Sequence, residues 1–100
     1  MNVKEVEASS IDSLINKESV VLLDIREEYE YEDFHLKSLH IPMAEVMSRL
    51  DELLDYPEIV VCCRSGNRAQ AIAYHLQKEF TEKDVSYLKG GLVAYMESHA

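Results

Sequence analysis

Two cysteines, Cys62 and Cys63, stand side by side between an apolar run, Ile59-Val60-Val61, and a polar segment with two arginines, Arg64-Ser65-Gly66-Asn67-Arg68. They are the only cysteines in the chain, so its thiol chemistry is confined to this segment. Neighbouring Cα atoms lie ~3.8 Å apart, below the usual disulfide range of ~4.4–6.8 Å, and an ordinary bridge between the two would be strained. Nucleophilic sulfur is the chemistry that remains. Where a chain leaves a buried strand and enters a helix, the first N–H groups have no helical partner and the dipole is positive, so an anion is stabilised there. A thiol in that position tends to ionise, and Arg64 and Arg68 add positive charge. Gly66 allows backbone angles that turn successive N–H groups inward as an anion nest, while Ser65 and Asn67 are small and add donors. Cys62, if it ends the strand, should point into a sheet face as a small hydrophobe, and Cys63 then opens the loop. The count to Arg68 is C-x4-R from Cys63 and C-x5-R from Cys62, and the residues alone leave both open.

The elements that must hold this loop can be read on either side of it. Residues 3 to 6 alternate as a short edge strand, and Ser9 and Ser10 precede Ile11, Leu14 and Ile15 as a helix cap before its buried face. Residues 20 to 23 are a β-branched and leucine run without alternation, the pattern of a strand covered on both faces, and it ends in Asp24. Residues 27 to 33, EEYEYED, read as a short solvated helix with carboxylates at its positive end. After a brief strand stopped by Pro42, the residues Met43, Val46, Met47, Leu50 and Leu54 recur at helical spacing and are expected to face the core. Residues 59 to 62 form a second buried strand, and Ala69, Ile72, Ala73, Leu76 and Phe80 share one side of the following helix. Residues 85 to 88 form a last strand, Gly90-Gly91 a turn, and residues 92 to 96 begin a terminal helix. Strands alternating with helices predict an α/β domain with a parallel sheet whose ligand site lies at the strands' carboxyl ends.

With 100 residues and 47% apolar composition, one domain spanning residues 1–100 is expected. A net charge of -9 and a pI near 4.8 argue against nucleic acid as a partner. No stretch resembles a signal peptide or approaches the ~20 apolar residues that span a bilayer, so no membrane partner is expected. An unbridged thiol pair suits a reducing cytoplasm. His35, His40, His75 and His99 are scattered and stand at no metal-ligand spacing to the cysteines, so neither a metal nor a cofactor is expected.

The segment Cys63-Arg64-Ser65-Gly66-Asn67-Arg68 after its apolar strand resembles the six-residue active-site loop of single-domain rhodaneses, which are sulfurtransferases. LLDIREEYEYEDFH at 22–35 is similar to that family's strand ending in Asp-x-Arg-Glu with an acidic helix and a histidine. LHIP at 39–42 and YLKGGLVAY at 87–95 resemble its later segments. Residues 34 to 40 run about one residue shorter than the family pattern, Leu92 stands where Trp is often found, and His40 where Asn is common. The resemblance implies a rhodanese-like single domain with a parallel sheet of about five strands and helices on both faces. It implies that Cys63 takes a sulfane sulfur from thiosulfate or another donor as a persulfide and yields it to a thiol or cyanide. A protein could serve as donor or acceptor. Arg64 and Arg68, with Ser65, Gly66 and Asn67, would bind the donor. Asp24 and Arg26 would bind the loop backbone or each other and hold the loop in shape.

Two other functions are open to these residues. Counted from Cys62 the arginine falls at C-x5-R, the spacing of cysteine phosphatases and arsenate reductases, although Val61 and Ala69 replace the His and the Ser or Thr usual there. A noncatalytic docking module of the same fold is the other, but such a module has no need of a nucleophile in an anion nest.

Overall fold

The computed structural model describes residues 3–100. Met1 and Asn2, part of the expected 1–100 domain, lie outside the described residues. The chain alternates strands and helices: β1 (Lys4–Val6), α1 (Ile11–Ile15), β2 (Val20–Asp24), α2 (Glu28–Asp33), β3 (Leu39–His40), β4 (Glu58–Cys62), α3 (Asn67–Glu79), β5 (Asp84–Leu88) and α4 (Gly91–Ser98). The strands form one parallel sheet in the order β1-β5-β4-β2-β3. The unalternating apolar runs of β2 and β4 are buried throughout their apolar length because they are interior strands with cover on both faces.

Strand pleating divides the core in two. Val21, Leu23, Ile59, Val61, Val85 and Tyr87 face α3, whose Ala69, Ile72, Ala73 and Leu76 are buried against them. Val20, Leu22, Val60 and Leu88 face the other way, onto Ile11 of α1 and Leu92 of α4. Each fully buried Ile, Leu or Val contributes about 1.5–3 kcal/mol relative to exposure, so these two layers set the register of β4 within the sheet. Because side chains alternate, Cys62 enters the second cluster and Cys63 the first. The two neighbouring sulfurs leave opposite faces of the sheet, and both cysteines are free.

Two segments differ from their sequence patterns. Residues 43–54 do not form one α-helix but two 3₁₀ segments, Met43–Ser48 and Leu50–Leu53, broken at Arg49 (φ -126°, ψ 32°). The tighter winding turns Met43, Met47 and Leu54 out to solvent and leaves Val46 and Leu53 as the buried anchors. Arg49 holds the break, with its guanidinium on Glu52 at 2.6 Å and Glu45 at 3.0 Å. At the first helix neither Ser9 nor Ser10 caps through its side chain. A 3₁₀ turn, Ala8–Ser10, leads directly into α1, and Ser13 Oγ donates to the Ser10 carbonyl.

Candidate active site

The loop of residues 63–68 leaves β4, the middle strand of the sheet, and runs into α3. Gly66 is the N-cap of α3 in the left-handed region (φ 103°, ψ -18°), a conformation that favours glycine. This bend brings the N–H of Gly66 to 3.1 Å and that of Ala69 to 3.3 Å from Cys63 Sγ. Both N–H groups belong to the helix start, where no carbonyl precedes them in the helical ladder, so they are free to stabilise negative charge on sulfur. Cys63 itself is buried at the floor of the loop.

The outward carbonyls of the same loop are held by the last helix. Leu92 N–H donates to the Cys63 carbonyl at 2.9 Å and Val93 N–H to that of Arg64 at 3.1 Å. One helix start thus grips the loop's oxygens while another presents N–H groups to its sulfur. The contact is so close that Gly91 (φ +64°) has no room for a side chain: a Cβ there would lie 2.3 Å from the Arg64 oxygen. The glycine pair read as a turn is therefore the seat on which the loop rests.

Arg68 leans across to α2. Its guanidinium meets the Glu30 carboxylate end-on, Nη1 to Oε1 and Nη2 to Oε2, both at 3.2 Å. These hydrogen bonds hold the Glu30 carboxyl below its ordinary value, opposing the effect of burial, and a bond from Glu27 N–H assists them. Glu30 was not singled out in the sequence. Its only local signal is the Glu27-x-x-Glu30 spacing, which the structure realises as a capping box starting α2. The acidic helix is accordingly not merely a solvated face. Asp24 and Arg26 bind each other through a fork of 2.8 and 3.0 Å, and neither binds the loop backbone. Arg26 also donates to the carbonyls of Phe34 at 2.6 Å and Glu30 at 3.2 Å, so the pair braces α2, and through Glu30 it braces Arg68. Tyr31 is stacked between His35 and His40 at 3.8 and 4.2 Å, and His40 Nε2 pairs with the Arg26 carbonyl, which closes the short 35–40 turn over the same brace.

Arg64, Ser65 and Asn67 are exposed on the loop. Arg64 lines a cleft of about 460 Å³ with Tyr29, Phe34, Leu92, Val93 and Met96. Cys62 lies in the far cluster, where burial above all, and then the charge of Asp24, push its thiol well above the ordinary range. Cys62 faces away from the loop, so the C-x5-R spacing counted from it does not place its sulfur in the cradle that holds Cys63. Among the described residues no cluster of His, Cys, Asp and Glu could hold a metal ion, and no helix is long and apolar enough to cross a membrane.

Residues 7–98 match the family described as Rhodanese-like domain. The chain belongs to that family. Its relatives in the family include YrkF of Bacillus subtilis, a candidate sulfur carrier protein, 38% identical over 74 residues that make up 73% of this chain and 40% of YrkF. The thiosulfate sulfurtransferase GlpE of Coxiella burnetii is 27% identical over 100 residues, covering 99% of this chain and 92% of GlpE. Among solved structures, reduced CoADR-RHD of Bacillus anthracis superposes with a TM-score of 0.83 at 28% identity, over 93% of this chain and 16% of that one. The chain therefore spans less than half the length of YrkF and a small part of CoADR-RHD. Its rhodanese-like relatives include sulfurtransferases and a candidate sulfur carrier, and the five-stranded parallel sheet is the fold of the family.

Proposed function

We propose that this protein is a sulfurtransferase that carries sulfane sulfur as a persulfide on Cys63. The reading is supported above all by the two backbone N–H groups, of Gly66 and Ala69, aimed at one buried sulfur in the family's loop. Cys63, as its thiolate, attacks the outer sulfur of thiosulfate or another donor. The donor's S–S bond breaks with its electron pair leaving on sulfite or the spent donor, and the outer sulfur stays on Cys63 as a persulfide anion. A thiol or cyanide then attacks that outer sulfur and the Cys63 sulfur departs as thiolate. Splitting the transfer in this way replaces one encounter of two nucleophilic sulfur compounds by two displacements, and the N–H cradle meets the negative charge in both. Exposed Arg64 is the donor's first contact, Ser65 and Asn67 border it, and Arg68 shapes the loop with Glu30. A protein persulfide could serve as donor and a protein thiol as acceptor, and a reducing cytoplasm would keep both thiols available.

Thiocyanate formation from thiosulfate and cyanide tests the proposal. The full chain should turn over by alternating half-reactions, Cys63→Ser should be inactive, and Cys62→Ser should remain active. Release of phosphate from an aryl phosphate without thiocyanate formation would refute it.

A further inference from the structure

Resting on that reading, we propose that the site selects sulfur donors with one negative charge and an apolar body, the organic thiosulfonates (RSO2S⁻) and persulfides (RSS⁻), over the thiosulfate dianion, with Glu30 setting the charge preference.

Two observations converge on this. The first is charge. Of the loop's two guanidiniums, that of Arg68 is already met end-on by both oxygens of Glu30, whose side chain is only 15% exposed. Among the described residues no ion pair engages Arg64. Arg64 is thus the loop guanidinium without a carboxylate partner, and Glu27, Glu28, Glu32 and Asp33 of the neighbouring segment are exposed. In a chain of net charge -9 a dianion would be neutralised by half at Arg64 and repelled by the rest, whereas a monoanion is matched.

The second is the apolar wall. Tyr29, Val93 and Met96 are 75%, 40% and 47% exposed, and with Phe34 and Leu92 they form the apolar side of the cleft that Arg64 borders, the paired Arg26 and Glu30 and the exposed Asp33 lining the rest. The cleft adjoins the cysteine loop: Arg64 lines it, and Leu92 and Val93, which also line it, donate their N–H groups to the Cys63 and Arg64 carbonyls. Its volume of about 460 Å³ lies within the range of small-molecule sites, ~300–1,000 Å³. Thiosulfate has no group to cover this wall. The R group of a thiosulfonate or persulfide does, with its sulfur end directed to Cys63.

With a thiosulfonate, Cys63 thiolate bonds to the terminal sulfur. The bond from that sulfur to the sulfonyl sulfur breaks, and the electron pair leaves on the sulfinate RSO2⁻. Cyanide then removes the outer sulfur as thiocyanate and restores the thiolate, so no external oxidant or reductant is required.

The test measures thiocyanate formation by the full chain with thiosulfate, methanethiosulfonate and benzenethiosulfonate at saturating cyanide. The two thiosulfonates share a reacting group and a charge and differ in apolar body. Burial of the ring against the cleft should raise kcat/KM for the benzene compound about tenfold over the methane compound, and Met96→Ala should reduce that ratio. Glu30→Gln, which frees the Arg68 charge, should raise kcat/KM for thiosulfate relative to methanethiosulfonate about fivefold. Ratios taken within one variant cancel any loss of folded protein. Equal rates for the two thiosulfonates, or a charge ratio unmoved by Glu30→Gln, would overturn the inference while leaving the sulfurtransferase reading intact. Absence of thiocyanate with every donor would overturn both.

Discussion

Replacing Gly91 by alanine should unseat the active loop without touching a residue that contacts sulfur. A Cβ at this position would lie 2.3 Å from the Arg64 oxygen and 2.6 Å from the Cys63 oxygen, against the ~3.5 Å at which nonbonded heavy atoms begin to attract. The start of α4 must therefore recede by on the order of 1 Å, and the bonds from Leu92 and Val93 to the loop, now 2.9 and 3.1 Å, pass out of range. Loss of two such hydrogen bonds costs about 1 kcal/mol each, and holding alanine at a left-handed φ costs about 1–2 kcal/mol more. The sum, about 3–4 kcal/mol, is a large part of the ~5–15 kcal/mol stability of a small domain and should lower the melting midpoint by about 12 °C or more. Gly90→Ala is the control. It carries the same left-handed strain (φ +73°), but its Cβ meets only Ala94, at 2.7 Å for the Cβ, and no loop carbonyl. Thermal unfolding and sulfur uptake from thiosulfate would be measured on both. Gly91→Ala should lose stability and uptake together, and Gly90→Ala should lose less stability and keep uptake. If Gly91→Ala melts within about 4 °C of the parent and loads sulfur at the parental rate, the loop does not depend on α4 and the reasoning fails.

Arg26→Ala should be among the most destabilising single changes, by about 3–5 kcal/mol, because it leaves the Asp24 carboxylate, 1% exposed, without its partner; the midpoint of urea unfolding reads this directly. Cys62→Ser places a hydroxyl in the apolar cluster of Ala8, Ile11, Val60 and Leu92 and should cost about 1–3 kcal/mol in the same measurement, with no loss of sulfur transfer. The C-terminal helix is tied to α1 by His99 Nε2 on Asp12 at 2.7 Å, a contact that raises the His99 pKa and lowers that of Asp12. Stability from this pair is present above the ordinary carboxylate value of 3.8 and below the ordinary imidazole value of 6.5. It fades as pH rises through the raised His99 value or falls through the lowered Asp12 value. His99→Phe keeps a ring over Tyr95, so its thermal deficit against the parent should be greatest between the ordinary values of 3.8 and 6.5, fade as pH rises through the raised His99 value, and shrink in high salt.

How far the sequence could be read followed from how local each determinant is. The apolar runs of β2 and β4 and the stripe from Ala69 to Leu76 announced themselves because burial on two faces or one imposes its own periodicity within a few residues. The loop was legible for the same reason, since the strand, Cys63, Gly66 and the helix start are contiguous. Residues 43–54 misled because 3₁₀ and α periods diverge by little over one turn, and the break at Arg49 depends on its pairs with Glu45 and Glu52. Glu30 stayed hidden in an acidic run because its partner, Arg68, lies 38 residues further along the chain, and nothing at either position alone distinguishes a part-buried pair from two solvated charges. The role of Gly91 was likewise visible only once α4 and the loop were in contact.

Peptide mapping by mass spectrometry after incubation with thiosulfate places the transferred sulfur on a named side chain. One added sulfur on Cys63, retained in Cys62→Ser and absent from Cys63→Ser, is the predicted result. Sulfur found on Cys62, or none on either cysteine while the protein remains folded, would contradict the assignment of the Gly66 and Ala69 N–H cradle as a persulfide site.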